Sequence, residues 1–295
     1  MAQQFKDIVR ETSIADLIES GRPFYSVDSS ATVEETLLSL ADNKVLSVPV
    51  KDAESGEYTD FVDVLDIISF LSTLCKDINS LVRMKVESFT DQAIGEIVNL
   101  SNKDPFITVN SSDSASSVHE LFAKGVHRVA IKGEDGKVTN VVSQYDFLKF
   151  VVKHVNEFSE IADKPIKELG MVQSWVLSVR KTERAVACFK KMVENKVNAV
   201  CVVDVVGKFD AQLSSSSLRG LTADTFQTLR LPVEDFLKAQ KVPPSNDLSC
   251  TGQVTLREVL QLLIDHSTHR LWVVDAAGFP VGIVSITDIC KVLNK

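Results

Sequence analysis

The chain has 295 residues, 44% of them hydrophobic and 24% charged, with a formal net charge of −8. That length suits about two domains with buried cores, and the composition excludes a disordered or fibrous chain. The acidic balance argues against a general nucleic-acid or anionic-membrane binder, while leaving room for a local basic pocket. Five scattered cysteines (Cys75, Cys188, Cys201, Cys250 and Cys290) form no C-x-x-C pair. They read as reduced packing residues, not as a disulfide framework or a zinc site. The N-terminus has no apolar stretch of signal-peptide length, and no segment approaches the roughly 18 apolar residues of a membrane span. A cytoplasmic location is expected, with the nucleus also open.

In chain order, "YSVDSSATVEETLLSLADNK" (25–44) predicts an extended piece followed by an amphipathic helix. Next, "VLSVPVKDAESGEYTDFVDVLDI" (45–67) predicts two strands about a glycine-containing turn, running into a second helix. The same succession returns at "ITVNSSDSASSVHELFAKG" and "VHRVAIKGEDGKVTNVVSQYDF", at "LSVRKTERAVACFKKMVENK" and "VNAVCVVDVVGKFDAQLSSSSL", and at "LSCTGQVTLREVLQLLIDHS" and "HRLWVVDAAGFPVGIVSITDI". In the last helix Leu256, Val259, Leu260, Leu263 and Ile264 recur at the spacing of one buried face. Each second strand ends in a four-residue frame: Asp63–Asp66, Ser143–Asp146, Ser214–Ser217 and Ser285–Asp288. The last three are spaced 71 residues apart, and the first lies 80 residues ahead of the second. Such a period marks an internal repeat.

The unit is β-α-β-β-α, roughly 60 to 70 residues long, and the fold class is α/β. Its four copies are expected at 10–78, 84–155, 162–230 and 233–295. Between them lie a connecting helix at "VESFTDQAIGEIVNL" (86–100) and preludes such as "ADKPIKELG" and "RLPVEDFLKAQ". One unit is too small to cover both faces of its sheet, so the units should pair.

No nucleophile elbow, H-E-x-x-H, Walker loop or G-x-G-x-x-G at a strand–helix junction is present, and the five histidines lack metal-ligand spacing. A non-enzyme is expected. Two features remain to be explained. Ser-x-x-Asp at a helix start reads as an N-cap with an acid that complements the helix dipole. A His-Arg pair opens the second strand of repeat two (His127, Arg128) and of repeat four (His269, Arg270). The equivalent positions are Leu46 and Ser47 in repeat one, and Asn198 and Ala199 in repeat three. Each arginine either pairs with a neighbouring acid or serves a ligand.

Strand, glycine hairpin, strand, then [ST]-x-x-D opening a helix resembles the CBS (cystathionine β-synthase) motif, two of which pair into a Bateman module. The carriers are "THRLWVVDAAGFPVGIVSITDICKVL", "GVHRVAIKGEDGKVTNVVSQYDFLKF", "VRKTERAVACFKKMVENKVNAVCVVD" and "FDAQLSSSSLRGLTADTFQTLRLPVEDFL". Four tandem copies resemble the gamma subunit of AMP-activated or sucrose-non-fermenting-type protein kinase, including its divergent plant-type relatives. The resemblance implies two Bateman modules forming a disk, with a nucleoside in the clefts between repeats.

It further implies ribose-binding carboxylates at Asp66, Asp146 and Asp288, and capping or ligand-facing hydroxyls at Ser143, Ser285, Ser214 and Ser217. Phosphates would be read by His127, Arg128, His269 and Arg270, with Lys196 adding charge. Arg180 and Thr182 match an R-x-T segment of the family beside the ligand cleft. The implied ligand is AMP, ADP or ATP, and the implied partners are kinase catalytic (alpha) and beta-type subunits in energy sensing, with no nucleic acid or membrane. Ser217 stands where an aspartate is expected, so repeat three should bind weakly or not at all. Repeat one lacks a basic residue beside its second strand, and Tyr145 stands where the family often has lysine. The alternatives are a nucleotide-free interaction scaffold, or a sensor of another adenosyl ligand such as S-adenosylmethionine.

Overall fold

The computed structural model describes residues 3–75, 78–243 and 247–295. These build an α/β fold around four three-stranded mixed sheets. Strands β1–β3 are Val27–Asp28, Ser47–Lys51 and Tyr58–Asp63. Strands β4–β6 are Thr108–Asn110, Arg128–Lys132 and Val138–Ser143. Strands β7–β9 are Ser178–Arg180, Ala199–Val203 and Phe209–Ser214. Strands β10–β12 are Ser249–Cys250, Arg270–Val274 and Pro280–Ser285.

All four sheets share one register. The first strand runs parallel to the second, and the second pairs antiparallel with the third. The hairpin glycines Gly56, Gly136, Gly207 and Gly278 have φ between 73° and 95°, a conformation in which a Cβ is strained. At the other end, the pairs Ser47↔Asp63, Arg128↔Ser143, Ala199↔Ser214 and Arg270↔Ser285 occupy the same place in each sheet. The residue that opens the second strand therefore lies opposite the residue that starts the next helix. The turn is locked by one equivalent bond in every repeat: Val64 to the Leu46 carbonyl, Gln144 to His127, Ser215 to Asn198 and Ile286 to His269. The 71-residue period in the sequence is this local geometry repeated.

The amphipathic helices predicted between first and second strands are present at Val33–Asp42, Ala115–Ala123, Ala185–Glu194 and Leu256–Asp265. Thr32, Ser114 and Thr255 cap three of them through their side chains. Leu256, Val259, Leu260 and Leu263 are buried as the periodicity requires, while Ile264 is half-buried.

Two elements differ from expectation. The segment read as one connecting helix at 86–100 is a short helix, Glu87–Thr90, and a 3-10 turn, Ile94–Glu96. Ala93 breaks it by taking extended backbone and bridging to Thr32. The helix expected after β9 is a single 3-10 turn, Ser215–Leu218. There the Ser214 and Ser216 hydroxyls bond each other at 2.6 Å, in the way that serines compete with helix propagation.

Two compact units divide the described chain, and they alternate along it. The first combines residues 1–24, 107–176 and 247–295; the second combines 25–106 and 177–246. The sheets of repeats two and four thus share one unit, and those of repeats one and three share the other. Lead segments are exchanged between consecutive repeats. In the first unit Ser13 bridges to Ser114 and Pro165 to Thr255; in the second Thr32 bridges to Ala93 and Arg184 to Pro232. Repeat one therefore trades its lead segment with repeat two, and repeat three with repeat four.

Helix packing closes each unit. In the first, Ile286–Leu293 packs on Ala115–Ala123 and Gln144–Lys153, and the Gln3–Glu11 helix inserts Phe5, its ring 4.7 Å from that of Phe158. In the second, Val64–Leu74 packs on Ala185–Glu194, and the ring pairs Phe89–Phe226 and Phe189–Phe236 stand 5.4 and 5.5 Å apart. Burying each such side chain contributes about 1.5–3 kcal/mol. That gain offsets the entropy of ordering short, individually marginal helices. Among the described residues no helix is long and apolar enough to cross a membrane.

Candidate functional site

Each predicted ribose carboxylate sits three residues into a helix that follows a hairpin, and each closes a capping box. Asp146 Oδ2 accepts the Ser143 amide at 2.9 Å and its hydroxyl at 2.8 Å. Asp288 Oδ2 accepts the Ser285 amide at 2.9 Å and its hydroxyl at 2.7 Å. Asp66 Oδ2 accepts the Asp63 amide at 3.0 Å, and Asp63 Oδ1 accepts the Asp66 amide at 3.0 Å. One oxygen of each carboxylate therefore serves the helix start, and the other is left to face outward. In repeat three the Ser214 amide donates to Ser217 Oγ at 3.4 Å, so that frame keeps a weak cap and has no carboxylate.

The outward oxygen meets a different donor in each repeat. Asp66 Oδ1 accepts the Ser101 amide at 2.8 Å. Asp146 Oδ1 accepts Arg22 Nη1 at 2.6 Å. Asp288 Oδ1 accepts Gln173 Nε2 at 3.1 Å. All three donors come from the lead segment of the partner repeat, the piece that the chain exchanges. Burial, followed by repulsion from Asp63, pushes Asp66 up to about 6, because two buried carboxylates share that one box.

Asp288 lines a cavity. It has a volume of about 430 Å³, and Asp288 and Gln173 line it together with Lys124, Met171, Lys291 and Lys295. A carboxylate at one point and lysines around it suit a ligand that has both hydroxyls and negative charge. His269 and Arg270 do not line this cavity.

Both His-Arg pairs fall in the first unit. Arg128 is buried opposite Ser143, and Arg270 lies opposite Ser285. Burial pulls the Arg270 guanidinium down to about 10, and among the described residues no carboxylate pairs with it. The helix starts of repeats two and four also touch. Gln144 Nε2 donates to Thr287 Oγ1 at 3.0 Å, and the Thr287 hydroxyl donates back to Gln144 Oε1 at 3.3 Å. The Tyr145 and His269 rings stand 5.5 Å apart.

The other predicted positions are not drawn into this arrangement. Lys196 is exposed at φ 53°, in the left-handed turn that ends the Ala185–Glu194 helix, as Lys44 and Ser267 do in repeats one and four. Its carbonyl accepts Lys103 Nζ at 3.3 Å. Arg180 and Thr182 are exposed between β7 and that helix in the second unit, where the Arg180 amide donates to Glu183 at 2.9 Å. Sequence reading did not single out Arg22, Ser101, Gln173, Lys124 or Lys291. The available signal was positional: residues 22, 101 and 173 each precede the first strand of a repeat.

The CBS domain family model matches residues 94–153 and 239–295. These matches fall on repeats two and four, where a serine cap, an aspartate and a basic strand start coincide. The chain is 24% identical to the SNF1-related protein kinase regulatory subunit gamma-like PV42a of Arabidopsis thaliana, over 95% of this chain and 94% of that protein. It is 23% identical to Protein SDS23 of Kluyveromyces lactis, over 96% of this chain and 62% of that one. It is likewise 23% identical to Protein SDS23 of Candida albicans, of which it spans 49%. In three dimensions it resembles Protein MJ1225 of Methanocaldococcus jannaschii, proposed as an archaeal homologue of g-AMPK. The TM-score there is 0.75 at 17% identity, covering 96% of this chain and all of that one. Two segments of the chain thus match CBS domains, and over nearly its whole length the chain is similar to a gamma-like regulatory subunit of SNF1-related kinase.

Proposed function

We propose that the chain is a non-catalytic regulatory subunit, with repeats at 10–78, 84–155, 162–230 and 233–295, that binds an adenine nucleotide and modulates a Ser/Thr protein kinase complex. The observation that carries this reading is Asp288, which lines a cavity of about 430 Å³ with Lys124, Lys291 and Lys295 and whose outward oxygen is held only by the neutral Gln173 amide. The carboxylate accepts the ribose hydroxyls in place of Gln173, and the lysines take phosphate charge. Arg128, buried, and Arg270, half-buried, at the equivalent strand starts add positive potential to the same unit. AMP, ADP or ATP is the ligand, and kinase alpha and beta-type subunits are the partners. Nucleotide would bias the kinase only by its differential affinity for two arrangements of the complex.

A thermal-shift titration with AMP, ADP, ATP and S-adenosylmethionine tests this, with Asp288→Asn alongside. A ligand at about 100 times its Kd adds about 2.7 kcal/mol of stability. A shift with a nucleotide that falls in Asp288→Asn supports the reading. A shift with S-adenosylmethionine alone would replace it with an adenosyl sensor, and no shift with any ligand would leave an interaction scaffold. The second unit favours the scaffold reading for its own half, since Ser217 offers no carboxylate and a backbone amide holds Asp66.

A further inference from the structure

Three aspartates hold the same place in three repeats, yet only one is held by a charged group. Ser101 offers Asp66 a backbone amide and Gln173 offers Asp288 a neutral side-chain amide. Arg22 brings a guanidinium to Asp146. Its Nη1 donates to Asp146 Oδ1 at 2.6 Å, while Nη2 donates to Asn140 Oδ1 at 3.1 Å and to the Val141 carbonyl. Asn140 and Val141 belong to β6, the strand that ends at Ser143, so one side chain spans the rim of the hairpin and the helix start together. The pair is largely removed from water, at 26% and 10% side-chain exposure. The backbone behind it is also tied: the Arg22 amide donates to the Glu19 carbonyl, and Glu19 accepts Lys149 Nζ at 2.9 Å from the helix that Asp146 opens.

We propose that Arg22 is a built-in occupant of the repeat-two carboxylate, standing where the hydroxyls of a ribose would bond, so that this site is closed by the chain itself while the Asp288 site is open. The proposal rests on the reading of these aspartates as ribose acceptors. The chemistry distinguishes the two sites. To reach Asp288, a diol exchanges one neutral hydrogen bond for another of its kind. To reach Asp146, it must expel a cation from a carboxylate and leave the guanidinium without its three acceptors. A neutral diol supplies no charge in return. Ligand selectivity between the sites is therefore set by residue 22, a position outside both strand pairs.

The test counts nucleotide sites per full-length chain by isothermal titration with ATP, for the wild type, Asp288→Ala, Arg22→Ala, Arg22→Gln, and Arg22→Ala combined with Asp146→Ala. Melting of each variant confirms that it is folded. Arg22→Ala is expected to bind one more ATP than the wild type, the extra site vanishing with Asp146→Ala and with 2′,3′-dideoxy-ATP. Arg22→Gln keeps the bond without the charge and is expected to open the site at an affinity comparable with that of the Asp288 site. If Asp288→Ala removes a site but neither Arg22 variant adds one, the self-occupancy proposal is overturned and the nucleotide reading stands. If no variant binds ATP at millimolar concentration, both fall, and Arg22–Asp146 is a structural ion pair.

Discussion

Asp63 and Asp66 each accept the other's backbone amide at 3.0 Å, so two carboxylates close a box that a serine and an aspartate close in repeats two and four. The arrangement carries a pH signature. Asp66 is raised from 3.8 to about 6, by burial first and by Asp63 second. Its folded state therefore holds a proton that the unfolded chain has already released. Stability should fall as pH rises between about 4 and 6, because the native state binds more protons across that window.

Replacing Asp63 by Ser restores the box of the other repeats and removes the repulsion. We expect Asp63→Ser to flatten that slope and to raise stability at pH 7 by on the order of 1–2 kcal/mol. Urea unfolding at pH 4.5, 5.5 and 7 measures it. An unchanged slope would mean that burial alone sets the proton affinity of Asp66.

Arg270 supplies a second prediction, from the opposite sign of charge. Its guanidinium is pulled down to about 10 by burial, with no acid beside it among the described residues. A cation held that way costs stability unless an anion joins it. Arg270→Met keeps the aliphatic contacts and removes the charge. It is expected to stabilise the ligand-free protein by about 1 kcal/mol and to reduce the stabilisation given by ATP. Loss of stability without ligand, with ATP binding unchanged, would show that Arg270 is packing and not phosphate reading.

The repeat itself was legible because it is local. A strand, a glycine with positive φ, a second strand and a capping frame lie within about 20 residues, and each carries its own propensity signal. The outward partners of the aspartates were not legible. Arg22, Ser101 and Gln173 stand 124, 35 and 115 residues from the carboxylates they meet, in lead segments with no motif. Only the exchange of those segments between repeats brings them there. Lys124 and Lys291 were missed for a different reason: an exposed lysine near a helix end is ordinary, and it is the cavity at Asp288 that brings these two together. The tetraserine in repeat three announced a lost carboxylate, but not that the following helix would shrink to one 3-10 turn, an outcome set by hydroxyl bonding within the turn.

Gly282 controls how closely the Gln173 segment approaches β12. A Cβ there would lie 2.4 Å from Val172 Cγ1 and 2.9 Å from the Gln173 carbonyl oxygen. That carbonyl cannot retreat without loss, because Gln173 and Ile283 exchange backbone bonds at 2.9 Å in both directions. Gly282→Ala should therefore push the segment outward, cost about 1–3 kcal/mol, and loosen Gln173 from Asp288. Gln173→Leu removes the side-chain bond and leaves the backbone pairing intact. Comparing ATP affinity and melting of the two variants separates the effects. Both should alter binding, and only Gly282→Ala should lower stability by more than about 1 kcal/mol.

Gln144 and Thr287 tie the helix start of repeat two to that of repeat four, one residue before Tyr145 and one before Asp288. Gln144 is buried, and its Nε2 also donates to the Phe122 carbonyl at 3.1 Å. Gln144→Leu would strand that carbonyl and the Thr287 hydroxyl together, at a cost of about 1–3 kcal/mol. Thr287→Val loses the hydroxyl alone and should cost less, since Gln144 keeps Phe122. In the double variant the Thr287 hydroxyl is no longer there to be orphaned, so the two losses should be less than additive by about 0.5–1 kcal/mol. If the link also positions Asp288, each single variant will weaken ATP binding at the open site, and Thr287→Val will do so with little change in melting temperature. Strict additivity, with unchanged ATP affinity, would mean that the two helix starts are held by their apolar faces and that this polar contact transmits nothing between the repeats.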